Sequence, residues 1–334
     1  MKHRLFFISI AAIFSFVSIS GAFTRELVVY SARKEHLIKP IFDLYTKKTG
    51  VKIKYLTGKA GVLLERLKAE GPNTPADLLI TVDAGNLWHA AEEGLLSPVT
   101  TDTLLTNIPS HLRDSQNHWF GLSVRARTII YNTKKVDVSE LSTYEALANP
   151  RWRDRLILRT SKKVYNQSLV ASLIVDHGEA KTEKIVRGWV ANLAAPPFSN
   201  DTKVMEAVAA GLGEVGIVNT YYYGRLMKKI PTLPLTLFWP NQNGTGVHVN
   251  VSGAGVTTHA KHREDAVRLL EWLSTEEPQG LFAGANMEYP ANPTVKVDSV
   301  VAGWGEFKPN HINVAEYGKY QAAAIRLMDR AGYR

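Results

Sequence analysis

The sequence predicts an α/β protein of two lobes, each a mostly parallel sheet flanked by helices. Three observations carry this. From residue 27 onward, short apolar runs alternate with segments of helical period, an order that builds parallel sheets with crossover helices. A second alternation of the same kind begins near residue 128. The length of 334 residues, at about 150 per domain, suits two cores better than one.

The elements follow in order. Leu27-Val28-Val29-Tyr30 reads as a buried strand. Ser31 then opens a helical segment with apolar positions Leu37, Ile38, Ile41, Phe42 and Tyr45, ended by Thr49-Gly50. Val51 to Leu56 alternates like a strand, and Gly61 to Glu70 returns to helix before Gly71-Pro72. Asp77 to Val82 is a buried strand and Gly85 to Glu93 a helix closed by Gly94. In the second unit, 128–131, 156–158 and 215–218 read as strands, and 143–149, 167–176, 181–193 and 202–210 as helices. A strand over 247–256, an amphipathic helix over 263–274 and a last helix over 314–329 complete the chain.

Composition removes several functional classes. Cysteine is absent, which excludes disulfides, thiolate metal sites and cysteine nucleophiles. Lys2, His3 and Arg4 precede an apolar run from Leu5 to Val17 and then Ser20-Gly21-Ala22, the pattern of a secretory signal peptide over residues 1–22. That apolar run is too short to span a bilayer, so an exported, soluble protein is expected. The net charge of +9 does not imply nucleic acid, because Lys and Arg are mixed with Asp and Glu along solvated faces.

Two motifs fail on context. Gly211-x-Gly213-x-x-Gly216 matches a dinucleotide fingerprint, but a helix precedes it and a strand follows, the reverse of what that fingerprint requires. His259-x-x-His262 lies in a polar, basic segment without a third metal ligand nearby, so it reads as a surface helix start. The distinctive segment is Asn219-Thr220-Tyr221-Tyr222-Tyr223, placed at a strand end just before a helix that starts near Gly224. Three adjacent tyrosines in extended chain cannot all enter one core, and strand ends in α/β sheets are where ligands bind. Phenol oxygens suit a hard, highly charged cation, since only such an ion would deprotonate several of them near neutral pH. Tyr165 stands in a similar strand-to-helix segment beside Ser161, where a helix start attracts anions. Arg125 and Arg127, just before a strand, each offer a guanidinium fork for an oxyanion, and the sequence does not choose between them.

At this point the residues match a family. Tyr30-Ser31-Ala32-Arg33, Pro75-Ala76-Asp77, Arg125-Ala126-Arg127, Tyr165-Asn166 and Asn219-Thr220-Tyr221-Tyr222 stand in the order and spacing of periplasmic ferric-iron-binding proteins. So do Phe238-Trp239-Pro240-Asn241-Gln242 and His248-Val249-Asn250-Val251-Ser252-Gly253. These are the solute receptors of iron ABC importers, and the chain resembles them over essentially its whole mature length. The resemblance implies a two-lobed type II solute-binding fold, with Fe³⁺ held in the cleft by Tyr165, Tyr221 and Tyr222. It also implies a synergistic anion such as carbonate on Arg125, with Arg127 and Ser161 as further candidates. Lobe boundaries carried over from the family are residues 23–121 with 246–296, and 122–245 with 297–334. Some members add a His or Tyr ligand after the Tyr-Ser-Ala-Arg segment; here Lys34, Glu35 and His36 stand there, so an anion is expected to complete the coordination and His36 is a displaced candidate. The expected partners are the permease and ATPase of an iron importer, with no nucleic acid, and the expected state is a periplasmic monomer.

Two rival readings stand beside this one. In the same fold, a receptor for an anionic solute such as a phosphonate or sulfate would use Arg125 and Ser161, with the tyrosines merely lining the cleft. An exported enzyme is disfavoured because no nucleophile–base pair or carboxylate dyad emerges.

Overall fold

A computed structural model of the protein describes residues 25–334. The signal-peptide expectation for residues 1–22 lies outside the described residues. Nine strands are present among the described residues: β1 (Glu26–Ser31), β2 (Lys52–Thr57), β3 (Leu78–Val82), β4 (Phe120–Asn132), β5 (Leu156–Ile157), β6 (Val215–Asn219), β7 (Leu235–Phe238), β8 (Val249–Val256) and β9 (Tyr289–Pro290). The sheet runs β2-β1-β3-β8-β4-β6-β5, with β7 and β9 also pairing with β4. β1 is parallel to β2 and to β3, as the strand–helix alternation requires. β8 returns antiparallel between β3 and β4.

β4 explains how one chain makes two half-sheets. It is 13 residues long and buried throughout. Its first half, Phe120 to Ala126, pairs with β8, and its second half, Arg127 to Asn132, pairs with β6 and β7. The sequence pattern exposes only 128–131 of it, because Gly121, Ser123, Arg125 and Arg127 interrupt the apolar run. Those polar residues are buried here, where the two half-sheets meet.

The first helix, Glu35–Thr49, buries the five apolar positions expected of it and ends where Gly50 takes φ 74° and donates its N–H to Thr46 O at 2.8 Å. Helix Asp201–Ala210 is capped by Asn200 and closed by Gly211 at φ 78°. β6 then begins two residues beyond Gly213, so the glycine motif is a helix stop and turn. A Cβ on Gly216 would come within 2.8 Å of Val204 Cγ1 and 2.9 Å of Ile157 O, which is why glycine is needed in that packed strand.

Several expectations need correction. Residues 143–149 form a short 3₁₀ turn rather than an α-helix, and the C-terminal helix breaks at Tyr320 into Glu316–Lys319 and Gln321–Arg330. Helix Glu276–Gly284 and strands β7 and β9 carry weak periodicity and escape a reading of the sequence pattern. The tyrosine trio does not end a strand. β6 stops at Asn219, and helix Thr220–Lys229 already contains all three rings. No helix among the described residues is long and apolar enough to cross a membrane.

Candidate functional site

Helix Val164–His177 carries Tyr165 in its first turn, and helix Thr220–Lys229 carries Tyr221 and Tyr222 in its own. The second helix begins directly where β6 ends, the first begins seven residues after the end of β5, and both aim those turns at one cavity of about 650 Å³. Arg125 of β4 and Ser252 of β8 line it, together with Arg33 and Lys34 from the segment after β1. Lys59, Lys162, Lys163 and Arg225 add positive charge to the wall, against one carboxylate, Glu288. The cleft is therefore built for ligands that bring negative charge or create it on binding.

The tyrosines pack into an aromatic and cationic cluster. The Tyr221 and Tyr222 rings lie 4.5 Å apart between centroids. The Arg125 guanidinium sits 5.7 Å from the Tyr165 ring centre, Arg159 at 5.5 Å, and Lys163 Nζ at 4.9 Å. Arg225, four residues after Tyr221 on the same helix face, lies 5.2 Å from that ring. Burial raises the Tyr165 phenol above its ordinary value; Tyr222 also pushes it up, while Arg125 and a hydroxyl bond from Tyr221 pull it down. Tyr221 is raised well above the ordinary phenol value, by burial first and then by Tyr165 and Tyr222. These phenols are therefore protonated near neutral pH. Lys163 is lowered by burial and by Arg159.

The third tyrosine of the run does not line the cavity. Tyr223 meets Trp304 edge-on at 6.0 Å and donates to Leu235 O at 3.4 Å.

The two arginines separate clearly. Arg125 is 2% exposed, its Nη1 reaches Ser252 Oγ at 3.4 Å, and its Nη2 has no hydrogen-bond partner. Buried guanidinium nitrogens normally find hydrogen-bond partners, and the charged group that this Nη2 meets is Asp83 Oδ2 at 3.6 Å. Arg127 is equally buried, and both of its terminal nitrogens are occupied, with only Nε left without a partner. It bonds Asp201 Oδ2 at 3.1 Å, Asn219 Oδ1 at 3.0 Å and Asn166 Oδ1 at 2.6 Å. It does not line the cavity, for whose anion the resemblance makes it a further candidate. It fixes instead the residues flanking Tyr165 and Tyr221. Arg127→Ala is expected to destabilise the fold by roughly 3–5 kcal/mol, the cost of breaking a buried ion pair, read as a drop in the melting midpoint of the metal-free protein.

Ser161 also falls outside the cavity lining; its N–H donates to Arg334 O at 3.1 Å, and its neighbours Lys162 and Lys163 face the cavity in its place. His36 is exposed on the first helix and does not line the cavity, whereas Lys34 does. Glu35 Oε1 accepts from Tyr55 Oη at 3.0 Å. Sequence reasoning missed Arg225, Glu288 and Asn286. Arg225 was findable from its spacing to Tyr221. Glu288 was not, because only the fold brings it to Arg33 Nη1 at 3.0 Å and Ser123 Oγ at 2.6 Å. Burial raises that carboxyl, but Arg33 and Arg125 outweigh it and hold it below its ordinary value.

Beneath the cavity lies Asp83, fully buried between β3 and helix Ala84–Glu92. Burial raises its carboxyl from the ordinary value, opposed by Arg125, Ser168, Gly85 and Asn250.

Two half-sheets sharing a long strand, around a polar cavity walled from both sides, define a solute-binding receptor. The chain belongs to the bacterial extracellular solute-binding protein family, matching it over residues 73–304. It is 44% identical over 316 residues to iron uptake protein A1 of Synechocystis, covering 93% of this chain and 88% of that one. Among solved structures, a Trichodesmium protein in complex with iron and citrate ligands superposes with TM-score 0.90 at 45% identity, covering 92% of this chain and all of the other. Ferric iron-binding protein A of Mannheimia haemolytica, in an open conformation, gives 0.87 at 34% identity, with 92% and 99% covered.

Proposed function

We propose that this chain is a periplasmic receptor that captures Fe³⁺ on the phenolates of Tyr165, Tyr221 and Tyr222 and presents it to the permease and ATPase of an ABC importer. One observation carries the reading: three tyrosines from two helix starts share a cavity whose other charged groups are almost all cationic. Three phenolates neutralise one Fe³⁺, and hard oxygen donors match a hard cation. Carbonate on the free Arg125 fork would fill the remaining coordination positions. The relatives' names support iron, and the citrate in the Trichodesmium complex makes a carboxylate the alternative anion. The protein acts as a monomeric binder with no chemical step, and its lobes, residues 23–121 with 246–296 and 122–245 with 297–334, close by hinge bending. β4 and β8, paired from Phe120↔Ala254 to Ala126↔Val249, would be hinge strands.

A visible spectrum tests this. Purified metal-free protein given ferric citrate and bicarbonate is expected to turn orange-red through phenolate-to-iron charge transfer. A receptor for a phosphonate or sulfate would stay colourless, and that result would move the function to the cationic wall alone.

A further inference from the structure

We infer that Asp83 is a resident counter-anion of this cleft, which balances Arg125 in the empty protein and makes the exogenous anion's binding conditional on the metal. The inference rests on the iron reading above and concerns how that same site is regulated. Arg125 Nη2 lies 3.6 Å from Asp83 Oδ2, close enough for an ion pair and too far for a hydrogen bond. Charge is thus compensated while Nη2 makes no hydrogen bond. Every other polar group that meets the Asp83 carboxylate is a donor: Gly85 N–H at 3.0 Å and Ser168 Oγ at 2.9 Å on Oδ1, and Asn250 Nδ2 at 3.0 Å on Oδ2. That donor set fits an ionised carboxylate.

The position of Asp83 is unusual in two further ways. Its backbone holds φ 78°, a conformation that few residues besides glycine, asparagine and aspartate adopt. Such backbones persist where the surroundings fix them, often at ligand clamps. Its four contacts also tie together the parts that the ligand must engage. Ser168 lies on the helix of Tyr165, Asn250 on β8, Arg125 on β4, and Gly85 on the helix after β3.

The consequence follows from charge. In the metal-free cleft an entering anion finds an arginine already neutralised by a carboxylate 3.6 Å away, and it gains little. Once iron is present, the anion can bind metal and Arg125 together, and Asp83 no longer decides the balance. Anion and iron then load and leave as one unit, instead of the anion occupying the empty receptor.

The test is bicarbonate titration of the mature, metal-free protein by calorimetry or melting shift. Asp83→Asn keeps an acceptor for Gly85 and tolerates the positive φ, but it removes the charge. It is expected to tighten bicarbonate binding to the metal-free protein roughly tenfold, the scale of one charge-assisted hydrogen bond. Ser168→Ala, which leaves the carboxylate in place, should change it by less than about threefold. An unchanged anion affinity in folded Asp83→Asn overturns the inference, and so does an equal gain in Ser168→Ala. A protonated Asp83 would also make the first substitution silent, and that silence overturns the inference just the same. If Asp83→Asn does not fold, wild-type protein still decides: bicarbonate must bind the iron-loaded form at least roughly tenfold more tightly than the metal-free form. Equal affinities would end the proposal. Absence of the orange-red band in every variant would instead fail the iron reading, while the metal-free titrations would still report on the Asp83–Arg125 pair.

Discussion

Tyr222→Phe is expected to cut ferric iron affinity by more than about a hundredfold and to shift or bleach the visible band, without unfolding the protein. The substitution keeps the ring and its 4.5 Å stacking with Tyr221, and removes only the oxygen. Changes to groups that merely support a metal's ligands cost about 10–100-fold, so loss of a ligand itself should exceed that range. Tyr165→Phe and Tyr221→Phe should behave alike, since the half-buried Tyr165 and the buried Tyr221 both line the cleft and their hydroxyls are the polar atoms they offer. Tyr223→Phe is the control. Its hydroxyl donates to Leu235 O at 3.4 Å, its ring does not line the cavity, and iron binding should hardly notice. An unchanged band in Tyr222→Phe would return that residue to ordinary packing. The melting midpoint of the metal-free variants should stay near wild type, which separates ligand loss from misfolding.

Much of this arrangement is legible in the chain, and the places where it is not have physical causes. The parallel first half can be read because β1 and β3 are short unbroken apolar runs and the first helix keeps one clean period. β4 is half hidden because buried arginines and serines look like surface residues until their partners are known. The tyrosine trio is easily located, but its pattern suggests extended chain where the structure has helix. Asn219, at φ −78° and ψ 137°, is the turning point, and nothing in an Asn-Thr-Tyr stretch says whether the helix starts before or after the rings. The outcome for function is the same, because helix geometry sends Tyr221 and Tyr222 into the cavity and Tyr223 away from it. Choosing between Arg125 and Arg127 needs the fold. They are two residues apart on one strand, and only the position of Asp201, 74 residues downstream of Arg127, shows which fork is already occupied.

Removing bicarbonate and making Arg125→Ala should each weaken iron binding and move the visible maximum, and the two losses should not add. The reason is that both delete one interaction. Arg125 presents a buried Nη2 with no hydrogen-bond partner, so an oxyanion held there gains a charge-assisted bond that no protein group now supplies. Each deletion should cost roughly ten- to a hundredfold in iron affinity, from the strength of a hydrogen bond to a charged group. If they are coupled, the double change should cost little more than either alone. Proton linkage gives a second signature. Each phenol that becomes a ligand releases its proton, so iron affinity should fall as pH falls, by up to about three decades per unit if all three tyrosines are engaged. Burial has raised Tyr165 and Tyr221, so this dependence should persist well above neutral pH. Anion removal should lower that slope by no more than about one decade per unit, the single proton that bicarbonate gives up on binding as carbonate, and leave the tyrosine part intact. Full-strength iron binding in buffer free of bicarbonate, citrate and any other oxyanion would sink the anion proposal. The missing donors would then have to come from the segment after β1, and His36 and Glu35 would be the first residues to replace.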